Sequence, residues 1–417
     1  MFMKKLIAMI LVFAMALGLT ACGEADAKDL MQGIPAKSVD VLPDMDAGAA
    51  AAADFGVRLF QTSLEEGENT LISPLSVLYA LAMTANGADG DTLAQMEEVL
   101  GMDSEDLNCF MLAYMDLLPE GKDYKMSLAN SVWFKDDPNF SVEQSFLQTN
   151  ADYYGASIYK SAFDDDTRSD INNWVKDHTD GMIPEIIDEI PDEAIMYLVN
   201  ALAFEAEWRE VYDESQVWER SFTTEDGNEQ EVQMMRSEES AYLEDDLATG
   251  FIKYYRGGRY AFVALLPKEG ISVTEYVQSL DGAELLAMLS APKETLVLAG
   301  IPKFETEYDV EMSEILTEMG MPDAYDYTAA NFSRLGIYNA DGVNICINRV
   351  LHKTFISVAE QGTRAGAATA VEIVAEGAIE MPEFKEVILD RPFVYMLIDC
   401  ETNLPFFIGT MMNVEGN

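Results

Sequence analysis

Glu360-Gln-Gly-Thr-Arg-Ala-Gly-Ala-Ala-Thr-Ala-Val-Glu-Ile-Val-Ala-Glu376 decides how the rest of this chain is read. From Gly362 to Ala370 every side chain but Arg364 is small. The segment has too little apolar bulk to hold itself in a core, and it carries no helical stripe. It does alternate. Thr363, Ala365, Ala367, Thr369, Val371 and Ile373 are uncharged and small or β-branched, whereas the even positions carry Arg364 and Glu372. A period of two with one dry face is a strand pattern. By composition the stretch also suits an Ala/Gly-rich linker. Both readings describe a segment that can sit exposed as a loop yet fit between strands if room opens.

Working outward, Asn69-Thr-Leu-Ile-Ser73-Pro74-Leu-Ser76 precedes a helix. Asn200 and Trp208 lie in one apolar strand-like run. Pro302-Lys303-Phe304 is followed by Tyr308-Asp309, and His352-Lys353 precede the quoted segment. Arg391-Pro392-Phe393-Val394 and Phe407-Ile408-Gly409 close the chain. In this order, over about residues 50–415, these elements resemble the serpins, the serine protease inhibitor superfamily, and Glu360-x-Gly362-Thr363 with the small run resembles their reactive-loop hinge.

The resemblance implies an α+β serpin fold with three β-sheets, about eight or nine helices and an exposed reactive-centre loop. It implies suicide inhibition of a serine protease, or sometimes a cysteine protease. The protease attacks the loop, forms an acyl-enzyme, and is trapped when the freed loop inserts as a new strand in the central sheet. Glu360, Gly362, Thr363, Ala365, Ala367 and Ala368 would form the hinge. Counting seventeen residues from Glu360 inclusive, as the family does, puts the scissile bond between Glu376 and Gly377. The stretch up to Pro392 is several residues longer than usual in the family, so Val374-Ala375 and Ala375-Glu376 stand as alternatives. None of these offers Arg or Lys before the cut. The expected targets are therefore elastase-like or glutamyl-specific proteases accepting Glu or a small aliphatic residue. Ser73, Ser76, Asn200, Trp208 and His352 are assigned structural roles beneath the central sheet. The alternative within the same fold is a non-inhibitory binding protein on the cell surface.

The remaining residues give no competing chemistry. The chain holds only two histidines, His178 and His352, and lacks G-x-S-x-G, H-E-x-x-H, Walker and G-x-G-x-x-G patterns. No enzyme is expected, and neither cofactor nor metal. Asp164-Asp165-Asp166 lack calcium-loop spacing and read as a solvated turn. Lys+Arg total 26 against 74 Asp+Glu, a net charge of −48, which repels nucleic acid and anionic membrane surfaces. A monomer is expected.

At the N-terminus Lys4 and Lys5 precede an apolar run over residues 6–17, too short to span a bilayer. Leu19-Thr20-Ala21-Cys22 then resembles a bacterial lipobox. The expected organisation is a lipoprotein signal peptide over 1–21, a flexible tether over 22–46 with lipid on Cys22, and one serpin domain over 47–417. The only membrane contact would be that lipid, on the outer face of a bacterial cell. Cys109, Cys346 and Cys400 remain, an odd set with no disulfide framework. Cys346 and Cys400 sit in apolar strand-like segments and read as buried small hydrophobes.

Between residues 46 and 417 no linker divides the chain. A helix is expected over 49–64 with Phe55, Leu59 and Phe60 inward, and another from Pro74 with a buried stripe of Leu75, Leu78, Tyr79, Ala82 and Met83. A short helix over 171–178 carries Trp174. Strands are expected over 126–134 and 194–208, with hairpins turning at Gly257-Gly258 and at Asn403. Helices first and strands later, without βαβ alternation, argue α+β.

Overall fold

Helices begin where short polar side chains can take up free backbone N–H groups. Asp44 accepts from the N–H of Ala47, Ser73 from Ser76, Asp103 from Glu105 and Asp106, and Asp164 from Thr167. The computed structural model describes residues 27–41, 43–118, 123–191, 194–339, 344–363 and 384–414. Cys22 and residues 364–383, which include Ala365, Ala367, Ala368, Val374, Ala375, Glu376 and Gly377, lie outside the described residues.

Along the chain, β1 (Lys28–Asp29) precedes helix α1 (Met45–Thr62), β2 (Leu71–Ile72), α2 (Pro74–Ala85), α3 (Gly90–Leu100) and α4 (Ser104–Leu117). Then come β3 (Tyr124–Lys135), β4 (Phe140–Val142), α5 (Gln144–Tyr154), β5 (Ser157–Ser161) and α6 (Asp165–His178). Strands β6 (Met196–Glu207), β7 (Val217–Thr223), β8 (Glu229–Glu244), β9 (Ala248–Tyr254) and β10 (Tyr260–Pro267) follow, with α7 (Val273–Ser279) and α8 (Gly282–Ser290) after them. The last part holds β11 (Lys293–Pro302), β12 (Phe304–Glu311), α9 (Ser313–Met319), β13 (Gly336–Tyr338), β14 (Arg349–Ala359), β15 (Gly362–Thr363), β16 (Phe384–Ile388), β17 (Phe393–Asp399) and β18 (Pro405–Met411). Among the described residues there are thus nine α-helices.

Three sheets result, as expected. The central one has the order β1-β5-β3-β6-β15-β14-β12. A nine-stranded sheet runs β16-β11-β8-β9-β10-β17-β18-β2 with β7 on β8, and β4 pairs with β13. Helix α2 explains how the two large sheets share one core. It packs on β3 and β6 of the first and on β18 of the second, so all twelve of its residues are buried rather than one stripe. The early and final motifs meet here. Ile72 and Leu71 pair with Ile408 and Gly409, and a side chain at Gly409 would come within 2.5 Å of the Thr70 carbonyl oxygen.

Several expectations need correcting. Helix α1 starts at Met45, because Asp44 caps it, and ends at Thr62, with Ser63 at its C-cap. Helix α6 starts at Asp165, with Asp164 and Thr167 forming a capping box. The acidic triplet is therefore a helix start rather than a turn, its charges favourable at the positive end of the helix dipole. The tether over 22–46 is contradicted across its described part. Lys28 and Asp29 add a strand to the edge of the central sheet, and Leu30, Met31 and Ile34 pack against the core. Cys346 is buried but lies outside any strand, while Cys400 is half-buried in the turn after β17. Burial pushes their thiols up, to about 11 and about 12, so neither is a reactive thiolate near neutral pH. Among the described residues no helix is long and apolar enough to cross a membrane.

Candidate functional site

The site is a seam between β6 and β14. The two strands pair directly in parallel from Arg349↔Tyr197 to Thr354↔Leu202. Above that level the hinge enters between them. Gly362 pairs with Glu207 on one side and Ala359 on the other, and Thr363 with Ala206 and Val358. Both pairings are antiparallel. Two residues of the quoted alternating stretch thus already serve as strand in the central sheet.

Local contacts explain why these residues stand here. Gly362 has φ 152°, and a Cβ there would meet the Ala206 carbonyl oxygen at 2.0 Å, so only glycine fits. Thr363 is buried, its hydroxyl hydrogen-bonded to that of Tyr255. Trp208 lies flat against Tyr255, with centroids 4.4 Å apart. Its ring N–H donates to the Ala359 carbonyl at 2.9 Å, and its backbone N–H to that of Gln361 at 2.9 Å. Lys303 donates to the Glu360 carboxylate at 2.7 Å. Burial is the largest influence and opposes ionisation of Glu360, but the Lys303 hydrogen bond, the residue's own backbone N–H and the Lys303 charge together outweigh it and hold the carboxyl below its ordinary range.

A buried charge cluster supports this end of the seam. Lys253 reaches Glu239 at 2.9 Å and lies over the rings of Tyr212 and Trp208. Ser237 donates to Glu239 at 2.6 Å and bonds the Tyr212 hydroxyl at 3.1 Å. Burial alone would lower the Lys253 pKa; its interactions with Tyr212 and Glu239 reverse that and raise it. The Tyr212 backbone N–H bonds the Glu360 carbonyl at 3.1 Å, linking the cluster to the hinge.

Lower down, the closed part of the seam is fastened by polar side chains. His352 is fully buried and accepts at Nε2 from the Ser73 backbone N–H, 3.0 Å away, while its Nδ1 donates to the Asn200 side-chain oxygen. A protonated ring would turn Nε2, which faces a donor, into a second donor. Burial accordingly lowers its pKa to about 3. Ser76 Oγ lies 3.3 Å from the side-chain oxygens of both Asn130 and Asn200, and the Nδ2 groups of both amides are buried with no hydrogen-bond partner among the described residues. Thr354 donates to the Leu71 carbonyl at 2.7 Å.

The structure therefore brings Ser73, Ser76, Asn200 and His352 together at one level of the seam, and Trp208, Glu360, Gly362 and Thr363 at another. Sequence reasoning missed Asn130, Thr354, Tyr212, Tyr255, Lys253 and Glu239. Only Asn130 left a signal, as an amide inside an otherwise apolar strand. Lys303 was noticed as part of a motif but not as the partner of Glu360. His178 is exposed at the end of α6, stacked on Trp174 and away from the seam. Among the described residues no cluster of His, Cys, Asp or Glu could hold a metal.

Three comparisons bear on this geometry. Residues 50–414 match the family described as "Serpin (serine protease inhibitor)". The crystal structure of a thermophilic serpin, tengpin, in its native state is 48% identical, covers 93% of this chain and 100% of that one, and superposes with a TM-score of 0.89. Against tengpin in its latent state the score falls to 0.78 over 91% of this chain and 100% of that one, at the same identity. The fold described here is thus nearer the native form. An uncharacterized serpin-like protein of Thermococcus kodakarensis is 29% identical over 92% of this chain and 90% of its own.

Proposed function

The chain belongs to the serpin family, and from that premise we propose that it is a suicide inhibitor of serine proteases. The protease serine Oγ attacks the carbonyl carbon of the residue before the cut and forms an ester. The peptide C–N bond breaks, and the new amino group leaves with the proton. The residue before the cut is Glu376, or alternatively Val374 or Ala375, so the target accepts Glu or a small aliphatic side chain. The freed loop then inserts along the seam and carries the esterified protease with it before water can hydrolyse the ester. The protein acts as a monomer, is not itself an enzyme, and is displayed on the outer face of a bacterial membrane by lipid on Cys22.

One observation carries this reading: Gly362 and Thr363 stand as a strand between β6 and β14 directly above the part of the seam that is closed. The incoming segment is already in register, and the small residues that follow it in sequence suit a narrow slot.

The test is a panel of purified proteases incubated with the protein and resolved in SDS. Elastase-like and glutamyl-specific serine proteases should give complexes that survive SDS, and trypsin should not. Mass spectrometry of the released peptide should place the cut within 373–378. Cleavage without any stable complex would mean a serpin fold that does not trap.

A further inference from the structure

We propose that the molecule stands on the membrane with the pole opposite its hinge facing the lipid, so that the reactive loop is turned outward. This rests on the anchor at Cys22 proposed above, but what carries it is the path of the chain from Ala27 onward. Lys28 and Asp29 pair with Lys160 and Tyr159 of β5. Across the sheet, Lys160 and Tyr159 stand level with Phe134 and Trp133 of β3, which stand level with Met196 and Tyr197 at the start of β6. The hinge pairs at the other end of β6, at Glu207 and Ala206. Eleven residues of strand, at about 3.3 Å each, separate the two levels by about 36 Å.

Strand direction says which way the chain arrives. β3 runs antiparallel to β6, from the hinge level toward the far pole. β5 is parallel to β3, and β1 is antiparallel to β5. Strand β1 therefore runs toward the hinge, and Ala27, the residue before it, lies on its far-pole side.

The attachment is firm. The Ala27 N–H donates to Asp170 of α6 at 3.2 Å, and the Leu30 N–H to the Ile158 carbonyl at 2.9 Å. Gln148 donates to the Pro35 carbonyl at 3.2 Å, and the Lys37 N–H to Asp152 at 2.7 Å. Only the five peptide steps from Cys22 to Ala27 remain as a link, and these reach at most about 18 Å. That is half the distance between the levels, so the hinge pole cannot be turned to the bilayer while the lipid stays in it.

The test uses the full-length lipidated protein in phosphatidylcholine/phosphatidylglycerol vesicles carrying an energy-acceptor dye. A fluorescent amino acid is encoded either at Asn139, exposed beyond the far end of β3, or at Glu210, exposed just past the hinge end of β6. Transfer should be strong from Asn139 and largely lost from Glu210. Equal or reversed transfer would overturn the orientation. A Gly/Ser insert between Cys22 and Ala27 should narrow the difference; an unchanged difference would reject the short link as its cause. The Cys22→Ser protein should be released from the vesicles. If it stays bound, the anchor itself is wrong and the orientation falls with it, whereas release combined with reversed transfer rejects the orientation alone.

Discussion

His352 and Asn200 face each other across the closed part of the seam, paired in parallel register on β14 and β6 and joined side chain to side chain, with Nδ1 donating to the amide oxygen. The arrangement requires a neutral ring, because Nε2 accepts from Ser73.

Stability should therefore fall on acidification. The ordinary histidine pKa of 6.5 drops to about 3 in the fold. Above about pH 6.5 both states are neutral and the contribution is complete. Below it the unfolded chain takes up a proton that the folded chain refuses, costing about 1.4 kcal/mol per pH unit down toward pH 3. Urea midpoints of wild type and His352→Gln, compared between pH 7 and pH 4.5, should show the wild type losing more. Parallel losses would mean that His352 is not held neutral.

Thr363→Arg should turn the inhibitor into a substrate. Thr363 is 1% exposed, between two strands and against Tyr255, so a guanidinium there would be buried without a partner. By the period of two, Ala365→Arg should act in the same way. Gels should show cleaved inhibitor and free active protease in place of the SDS-stable complex.

Gly362→Ala should push the hinge out of the sheet, since its methyl group would occupy the place of the Ala206 carbonyl oxygen. The expected result is a lower melting temperature for the intact protein and more inhibitor consumed per protease trapped. Unchanged values for both would show that the hinge strand contributes nothing to the native state.

Glu239→Ala should be costly, leaving Lys253 charged at 3% side-chain exposure. Stranding one member of a buried pair costs about 3–5 kcal/mol. The double change Lys253→Met with Glu239→Leu should recover most of that loss in chemical denaturation.

A nick in the loop should raise the melting temperature, the reverse of its effect on most folds. About ten new backbone hydrogen bonds at about 0.5–1.5 kcal/mol each, even halved for the ordering of the loop, amount to several kcal/mol. Calorimetry of intact protein and of protein nicked in the loop by a protease that it does not trap checks this, and a nicked form that melts no higher has no inserting loop.

Much of the fold and part of the site were legible in the sequence. Period two marked the hinge, and Ser73-Pro74 marked the start of α2, because both are local patterns. The complete burial of α2 was not legible, since it depends on a second sheet closing over the helix's other side. Residues 27–41 looked like a tether because an edge strand of two residues is held mainly through its backbone, and Leu30, Met31 and Ile34 are too sparse to form a pattern. The Lys253–Glu239–Ser237–Tyr212 cluster joins β8, β9 and a loop. Nothing in its spacing brings those residues together.

Under the proposed insertion mechanism, the two residues of β15 would have a kinetic consequence. They act as a toehold, in the sense that word has for one nucleic-acid strand displacing another. Insertion need not open the whole seam at once. The next pairs to be exchanged start at Thr354↔Leu202 and end at Arg349↔Tyr197, and each parallel contact that breaks is replaced by antiparallel contacts on both sides of the incoming strand, the slightly stronger kind per residue. On the mechanism proposed above, the barrier would thereby be divided into small steps, and the race against deacylation would become a matter of branch migration, one residue pair at a time.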